Sequence, residues 1–316
     1  GGGPLTDQQL EEIIFYLRSV QISEDEIRSQ VDSGVEAGAK ALILETSDEA
    51  WAVEVRAAEA AQAEAAMAVR LLGRADFDFE CSDDIGACLT LDDANARLTA
   101  ANEAAVEPLD AAVATWFDQV SAAKATADAL AIEADPSLAD EGNEDDLRAA
   151  ALEILSTPDA FEGQQAYLQW GEILFSNTAA AGTYSCARCH TYGWSFDGAS
   201  DYVLEENGRD GPIPELADGY VTAGGLFGAD LAGGSTLSQF ETAIGQSAFI
   251  TRGQAIGQTY GRGGSGGNGQ MPGFGALTEA NPVGPGMGPG SGIVFEYPAL
   301  LTDEQIDAIV AFERTL

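Results

Sequence analysis

The stretch Cys186-Ala187-Arg188-Cys189-His190 holds two cysteines three positions apart, followed at once by the only histidine among the 316 residues. This C-x-x-C-H spacing is the attachment signature of c-type haem. Each thiol can form a thioether with one haem vinyl group, and the adjacent histidine is then placed to bind the iron. The motif therefore predicts a single covalently attached haem in this chain.

Two other interpretations of the motif are a thioredoxin-like redox pair and one half of a zinc site. A redox pair is expected beside a βαβ pattern, and a zinc site needs a second cluster of cysteine or histidine. The sequence around residues 186–190 shows no βαβ pattern, and no second cluster follows it. Both alternatives are therefore less well supported than haem attachment.

A second stretch, Gly269–Gly275 (G-Q-M-P-G-F-G), contains a methionine suited to the sixth position on the iron. A thioether is a soft, neutral ligand that favours ferrous iron, raises the reduction potential and fills the position that oxygen would need. Met287 is a rival, but it lies in G-M-G-P and lacks the M-P-G-F-G context. We therefore predict His190 and Met271 as the two axial ligands.

These two motifs, together with a last helix that begins at Leu301 (L-T-D-E-Q-I-D-A-I-V-A-F), resemble a class I c-type cytochrome domain. The resemblance covers about the last half of the chain. It implies a haem domain over residues 159–316 and outer-sphere electron transfer, in which no general acid, base or nucleophile is needed. It further implies a relay between a respiratory donor complex and a terminal oxidase.

One segment departs from the family pattern. Phe227–Leu231 (F-G-A-D-L) is similar to the G-P-x-L segment in which the proline carbonyl accepts the N–H of the ligand histidine. Ala229 stands in the proline position here, and its own carbonyl can serve because the acceptor belongs to the main chain. Pro212 or Pro214 could take that part instead.

The other two cysteines, Cys81 and Cys88, lie in a polar, turn-rich loop. Haem attachment of this type occurs outside the cytoplasm, where disulfides persist, so we predict a Cys81–Cys88 disulfide. Two free thiols or a metal site remain the alternatives. The chain opens at Gly1 without an initiator methionine, so we expect a mature or trimmed product whose export signal or anchor lies elsewhere.

The formal net charge of −38 is extreme, and most of it falls in residues 1–160. Such a surface repels nucleic acid and anionic lipid, and it suits either a saline extracytoplasmic setting or steering toward a basic partner. No apolar run approaches the length of a membrane span, so membrane association is expected only through a partner or another segment. The lysines are Lys40 and Lys124, so the haem segment has none.

Residues 23–158 are rich in alanine and glutamate, which is typical of long helices. Apolar residues at intervals of three and four predict helices over 24–44, 48–72 and 92–132. We expect the second and third to form an antiparallel hairpin closed by the Cys81–Cys88 loop. Trp51 and Trp116 fall on the apolar stripes and are predicted to be core or interface anchors.

The haem segment is predicted to open with a helix over 162–175 and to contain a short helix over 236–244. Residues 191–225 and 276–298 are expected to form irregular surface excursions. The glycine-rich run before Met271 permits close approach to the porphyrin. It has neither the lysine nor the strand-to-helix setting of a phosphate-binding loop.

Residues 5–20 repeat the pattern of the last sixteen, including the L-T-D-x-Q entry at Leu5 and Leu301. Residues 1–22 are therefore predicted to be the closing helix of a preceding cytochrome-like domain; an ordinary amphipathic helix with a common start is the alternative. The expected architecture is all-α: this helix, a helical hairpin domain over 23–158, and a class I cytochrome domain over 159–316. A haem-bearing docking subunit and the haem subunit of a redox enzyme are the competing functions.

Overall fold

The computed structural model of the protein describes residues 24–71, 91–176, 186, 190, 231, 235–253, 259–260, 265–266, 273–275 and 300–316. The helices of these ranges are α1 (Glu24–Thr46), α2 (Ala50–Leu71), α3 (Leu91–Ala134), α4 (Glu144–Leu155), α5 (Gln165–Ser176), α6 (Ser235–Gln239), α7 (Ala243–Arg252) and α8 (Asp303–Glu313). A 3₁₀ turn (Pro136–Ala139) follows α3, and two antiparallel two-residue strands, β1 (Thr259–Tyr260) and β2 (Ser265–Gly266), form a small ribbon. The predicted all-α class is confirmed.

Helix α3 is the longest element, with 44 residues and a length of about 66 Å at 1.5 Å per residue. Two aspartates in its first turn suit the positive end of the helix dipole, and Pro108 lies inside the helix. Its buried side chains recur mainly at intervals of three, four and seven residues, the period of one helical face. They are Ala94, Ala101, Ala105, Val113, Trp116, Val120, Ala123, Ala127 and Ala131.

The two halves of α3 pack against different neighbours. Ala101 and Ala105, in the first half, form a small core with Val55 and Ala58 of α2. The buried residues from Val113 to Ala127 belong instead to a larger core shared by α1, α4, α5, α7 and α8. Helix α2, with 22 residues, is half as long as α3, so it covers only part of the stripe.

The large core runs across position 158, where the sequence suggests a domain boundary. Trp116 of α3 is buried in it, and its indole Nε1 donates a hydrogen bond to Oε1 of Gln169 on α5 at 3.3 Å. The predicted division at residues 158 and 159 stays a prediction, and the segments on either side of it share one hydrophobic core. The predicted helix over residues 1–22 lies outside the described ranges.

Helices α5 and α8 cross at very close range. A Cβ atom on Gly171 of α5 would lie 2.0 Å from the carbonyl oxygen of Ala308 on α8, so only glycine fits. One turn along α5, the rings of Phe175 and Phe312 meet with their centroids 5.7 Å apart. This contact fixes the last helix of the chain against the first helix of the predicted haem segment.

The helices around residue 240 differ from the prediction of one short helix over 236–244. Helix α6 ends at Gln239 and α7 begins at Ala243, because Thr242 caps α7 by accepting a hydrogen bond from the backbone N–H of Gly245 at 3.2 Å. None of the described helices has the length and the apolar character that a membrane span requires.

Candidate functional site

The start and the end of the C-x-x-C-H motif form one helical turn. The backbone N–H of His190 donates to the carbonyl oxygen of Cys186 at 3.0 Å, which is an i to i+4 bond. Side chains four positions apart lie on the same face of such a turn. Cys186 is buried with 6% of its surface exposed, and His190 is half-buried. The structure therefore joins the main chain of two residues of the predicted site, the first cysteine and the histidine.

Several residues of the predicted site lie outside the described ranges. They are Cys189 and Met271, the rival ligand Met287, and the predicted disulfide pair Cys81 and Cys88. The predicted excursions over 191–225 and 276–298 also lie outside them. These assignments stay predictions.

Main-chain hydrogen bonds hold the end of the M-P-G-F-G stretch between the end of α7 and the residues just before α8. Phe274 is buried, and its backbone N–H donates to the carbonyl oxygen of Ile250 on α7 at 3.1 Å. Its own carbonyl oxygen accepts from the N–H groups of Leu300 and Leu301 at 2.9 and 3.0 Å, just before α8. This segment therefore connects the end of α7 to the entry of α8.

Gly273 has a steric reason to be glycine. A Cβ atom there would lie 2.8 Å from the carbonyl oxygen of Arg252, closer than real Cβ contacts allow. The absence of a side chain lets the segment lie directly against the last turn of α7. The glycine before Phe274 in the motif is thus explained by packing against α7.

Three motif segments that are far apart in sequence contribute to one core. Cys186 and Phe274 are members of the large core, and Leu231, the last residue of the F-G-A-D-L segment, packs against it. The remaining residues of that segment, Ala229 among them, lie outside the described ranges. The described parts of the three motifs therefore all contact the same large core.

The donor set on the Cys186 turn fits a covalently bound haem. A thiol can add to a vinyl group and an imidazole can bind iron, and Cys186 belongs to the large apolar core. Within the described ranges, no three His, Cys, Asp or Glu side chains come together as a metal site of the kind zinc requires.

A polar network that the sequence analysis did not anticipate joins α4, α7 and α8. Arg148 of α4 binds the carboxylate of Asp307 at two points, Nε to Oδ2 at 2.6 Å and Nη2 to Oδ1 at 2.8 Å. Oγ of Ser247 on α7 donates to the same carboxylate at 2.7 Å. The hydrogen-bonded Asp307 raises the pKa of Arg148, so this guanidinium remains charged.

A second buried carboxyl group, that of Glu313, lies at the end of α8. Nε2 of Gln246 donates to its Oε2 at 2.7 Å, and the hydroxyl of Thr236 donates to its backbone oxygen at 3.2 Å. Burial raises the pKa of Glu313 to about 7, against the opposing effect of the hydrogen bond from Gln246. The sequence itself indicates that Glu313 is buried. Residue 313 lies at the i+7 position of the stripe that begins at Ile306, where an apolar side chain is expected.

Comparison of the chain with protein-family models, with curated proteins and with solved structures finds no match.

Proposed function

We propose that this chain is an extracytoplasmic electron-transfer protein that carries one haem c. Cys186 and Cys189 hold the haem through thioethers, and His190 and Met271 bind its iron. The observation that carries the proposal is the convergence of Cys186, Leu231 and Phe274 on one core, because each represents a different motif of the resemblance. When bound, the haem supplies a one-electron couple.

The protein's contribution begins with the Cys186 turn. The i to i+4 bond between Cys186 and His190 joins the main chain of the two residues, so this segment would supply both one thioether and one iron ligand. Burial of Cys186 keeps water from this side of the site.

The opposite ligand depends on the anchored segment 273–275. Met271 stands two residues before Gly273 in the sequence. Gly273 and Phe274 are fixed against the end of α7 and the entry of α8. Met271 is therefore proposed as the ligand in preference to Met287, which stands twelve positions after Gly275 and lacks the M-P-G-F-G context.

We further propose that α2 and the first half of α3 form an antiparallel hairpin closed by a Cys81–Cys88 disulfide. The small core of Val55, Ala58, Ala101 and Ala105 supports this arrangement. Residues 72–90, which contain both cysteines, connect the two helices. Residues 159–316 then form the haem domain, and residues 1–22 the closing helix of a preceding cytochrome-like domain.

The partners that suit this function are redox proteins of a respiratory chain, one that supplies electrons and an oxidase that accepts them. The charge of −38 favours partners that present a basic surface and disfavours nucleic acid. The setting is the periplasm or the outer face of the cytoplasmic membrane, because covalent haem attachment belongs to such compartments.

A second candidate function, a docking subunit that bears a haem in a larger complex, is favoured by one observation. Helix α3 belongs to the large core through its second half, while its first half extends beyond it with α2. Such a rigid projection suits attachment to another subunit. A third candidate, the haem subunit of a redox enzyme, requires an open sixth position on the iron.

The test is expression of the chain with a c-type haem maturation system, followed by intact mass and the pyridine ferrohaemochrome spectrum. We expect one covalent haem per polypeptide. Cys186→Ser and Cys189→Ser should each leave one vinyl group unsaturated and shift the haemochrome band to the red. Cys81→Ser, a cysteine change outside the motif, should leave haem content and band unchanged. Covalent haem that survives the double Cys186→Ser/Cys189→Ser change would contradict the proposal.

The three candidate functions differ in how the ferrous protein responds to carbon monoxide. A carrier or docking subunit with both axial positions filled should show no spectral change. A redox enzyme subunit with an open position should bind carbon monoxide readily. The docking subunit is distinguished from the carrier by co-purification in a stable complex from the native membrane.

A further inference from the structure

A groove of about 540 Å³ lies between α1, α3 and α5, next to the start of α8. Its apolar lining is formed by Val35 of α1, Val113 and Phe117 of α3, and Trp170 of α5. Val35 and Val113 are buried, whereas Phe117 leaves 37% of its surface exposed. We call this feature the α1–α3 groove; neither Cys186 nor His190 is among its lining residues.

The apolar lining continues along α3 beyond the groove. Val106, with 57% of its surface exposed, lies seven residues before Val113 and eleven before Phe117, so the three share one face of the helix. Together they form a stripe about 16 Å long. Phe117 and Val106 are two of the few large apolar side chains that stand exposed in the described part of the chain. An apolar stripe beside a groove is a surface that a partner can cover.

Every charged residue that lines the groove is acidic. Asp32 and Glu36 lie on α1, and Asp110 lies on α3. Lys40 bridges two of them, with its Nζ 2.7 Å from Glu36 and 3.0 Å from Asp110. Asp32 makes no ion pair with the described residues, so the rim retains a net negative charge.

We propose that the α1–α3 groove binds a basic amphipathic helix of a partner protein. In this mode of recognition, apolar side chains at positions i, i+4 and i+7 of a helix enter a groove between helices. Three such anchors span about 10 Å, which the lining from Asp110 to Phe117 matches. Lysine or arginine side chains on the flanks of that helix then meet Asp32, Glu36 and Asp110.

Charge argues against the other occupants. Residues 1–22 of this chain carry three acidic side chains and one arginine, so they match the acidic rim poorly. A second copy of the chain would bring another net charge of −38 to the same surface. A basic partner helix is favoured over both by electrostatic complementarity.

The test uses a synthetic amphipathic helix of about 18 residues, five turns, with leucines on one face and lysines on the other. A second peptide keeps every lysine but has glutamine in place of leucine, so it measures attraction to the acidic surface alone. Binding of each to the full-length protein is measured by isothermal titration calorimetry at low salt and at physiological salt. We expect the leucine peptide to bind at least about tenfold more tightly, with an advantage that persists at physiological salt.

Two matched variants locate the binding. Phe117→Asp places a charge on the lining, and Val53→Asp makes the same kind of change at an exposed apolar residue of α2 that does not line the groove. The helical circular dichroism of both variants should equal that of the wild type. We expect Phe117→Asp to weaken binding of the leucine peptide about tenfold or more and Val53→Asp to change it less than about twofold.

Equal loss in the two variants, or equal affinity of the two peptides, would overturn the proposal, because the attraction would then be a property of the whole acidic surface. A photo-crosslinker on the leucine face should label residues of α1, α3 or α5. Labelling elsewhere would also overturn it. Since none of these measurements depends on haem, failure here leaves the proposed function standing, and the reverse is equally true.

Discussion

Arg148 and Asp307, 159 positions apart in the chain, meet in a two-point ion pair at 2.6 and 2.8 Å. The aspartate is 9% exposed at its side chain and the arginine 31%. The pair joins α4, which precedes the predicted boundary at residue 158, to the last helix of the chain. Loss of the guanidinium leaves a nearly buried carboxylate with the hydroxyl of Ser247 as its other described partner.

We expect Arg148→Ala to lower the free energy of unfolding by about 2 to 4 kcal/mol, because an uncompensated buried charge is costly. The measurement is urea unfolding followed by circular dichroism. Arg97→Ala is the control: Arg97 pairs with Glu54 at 2.9 Å, but both side chains are more than a third exposed. A surface pair of this kind contributes less than about 1 kcal/mol. Equal losses in the two variants would show that Asp307 is effectively solvated.

At the crossing of α5 and α8, the addition of one methyl group is expected to lower the free energy of unfolding strongly. In Gly171→Ala the new Cβ would lie 2.0 Å from the backbone oxygen of Ala308, so the two helices must separate. We expect a loss of about 2 to 4 kcal/mol in unfolding free energy, since overpacking against a rigid main chain cannot relax locally.

Gly38→Ala provides the matched comparison for this crossing. Its Cβ would lie 2.5 Å from Cγ2 of Ile173, which is a side-chain atom, whereas the clash at Gly171 is with main chain. Alanine also has the higher helix propensity, so we expect a loss well below that of Gly171→Ala. A Gly171→Ala variant as stable as the wild type would contradict the close crossing.

The buried carboxyl of Glu313 predicts how stability depends on pH. Its pKa of about 7 is raised from 4.5 by burial. Between these values the folded chain keeps a proton that the unfolded chain has released, so the free energy of unfolding falls as pH rises through this window. The contribution of Glu313 to the free energy of unfolding is fully present below pH 4.5. It is lost completely above pH 7, and the total loss is on the order of 3 kcal/mol.

Glu313→Gln should remove this contribution to the pH dependence, because the amide does not ionise and can still accept from Gln246. We measure the urea midpoints of unfolding from pH 5 to pH 8. The midpoint of Glu313→Gln should approach that of the wild type at low pH and exceed it at pH 8. Glu304→Gln, at an exposed position of the same helix, should follow the wild type throughout. Parallel curves for wild type and Glu313→Gln would refute a neutral Glu313.

Met271 is predicted to be the sixth ligand of the haem. The ferric protein should show a weak sulfur-to-iron charge-transfer band in the far red. Met271→Ala should abolish the band and open the ferrous protein to carbon monoxide, because a ligand position is then vacant. Met287→Ala should change neither property. The opposite pattern would assign the ligand to Met287.

The helices that the sequence predicts well are those with a long apolar period. The predicted ranges for α1, α2, α3, α5 and α8 overlap the observed ones closely, since alanine-rich segments with one apolar face leave few alternatives. The sequence patterns described above predict no helix over the residues of α4. Asn143 precedes it and Glu144, Asp145 and Asp146 occupy its first turn, which is a helix-start signal in the short segment between Pro136 and Pro158.

The partners of those helices were harder to predict than the helices themselves. The stripe through Trp116 identifies a buried face, but it does not say that α5 covers it. The relative lengths of α2 and α3 already imply a second partner for α3. Nothing local, however, predicts the pairing of Arg148 with Asp307, because it depends on the tertiary fold.

The division of α3 between two cores has a consequence for amide hydrogen exchange. The first half is held mainly by small alanine contacts around Val55, whereas the second half is held by the large core around Trp116. A continuous helix therefore contains amides of two classes. Those before about Pro108 should exchange when this half of α3 opens together with α2, and those after it should exchange only when the large core unfolds. One secondary-structure element spans two cooperative units, and its midpoint is where their protection factors should change.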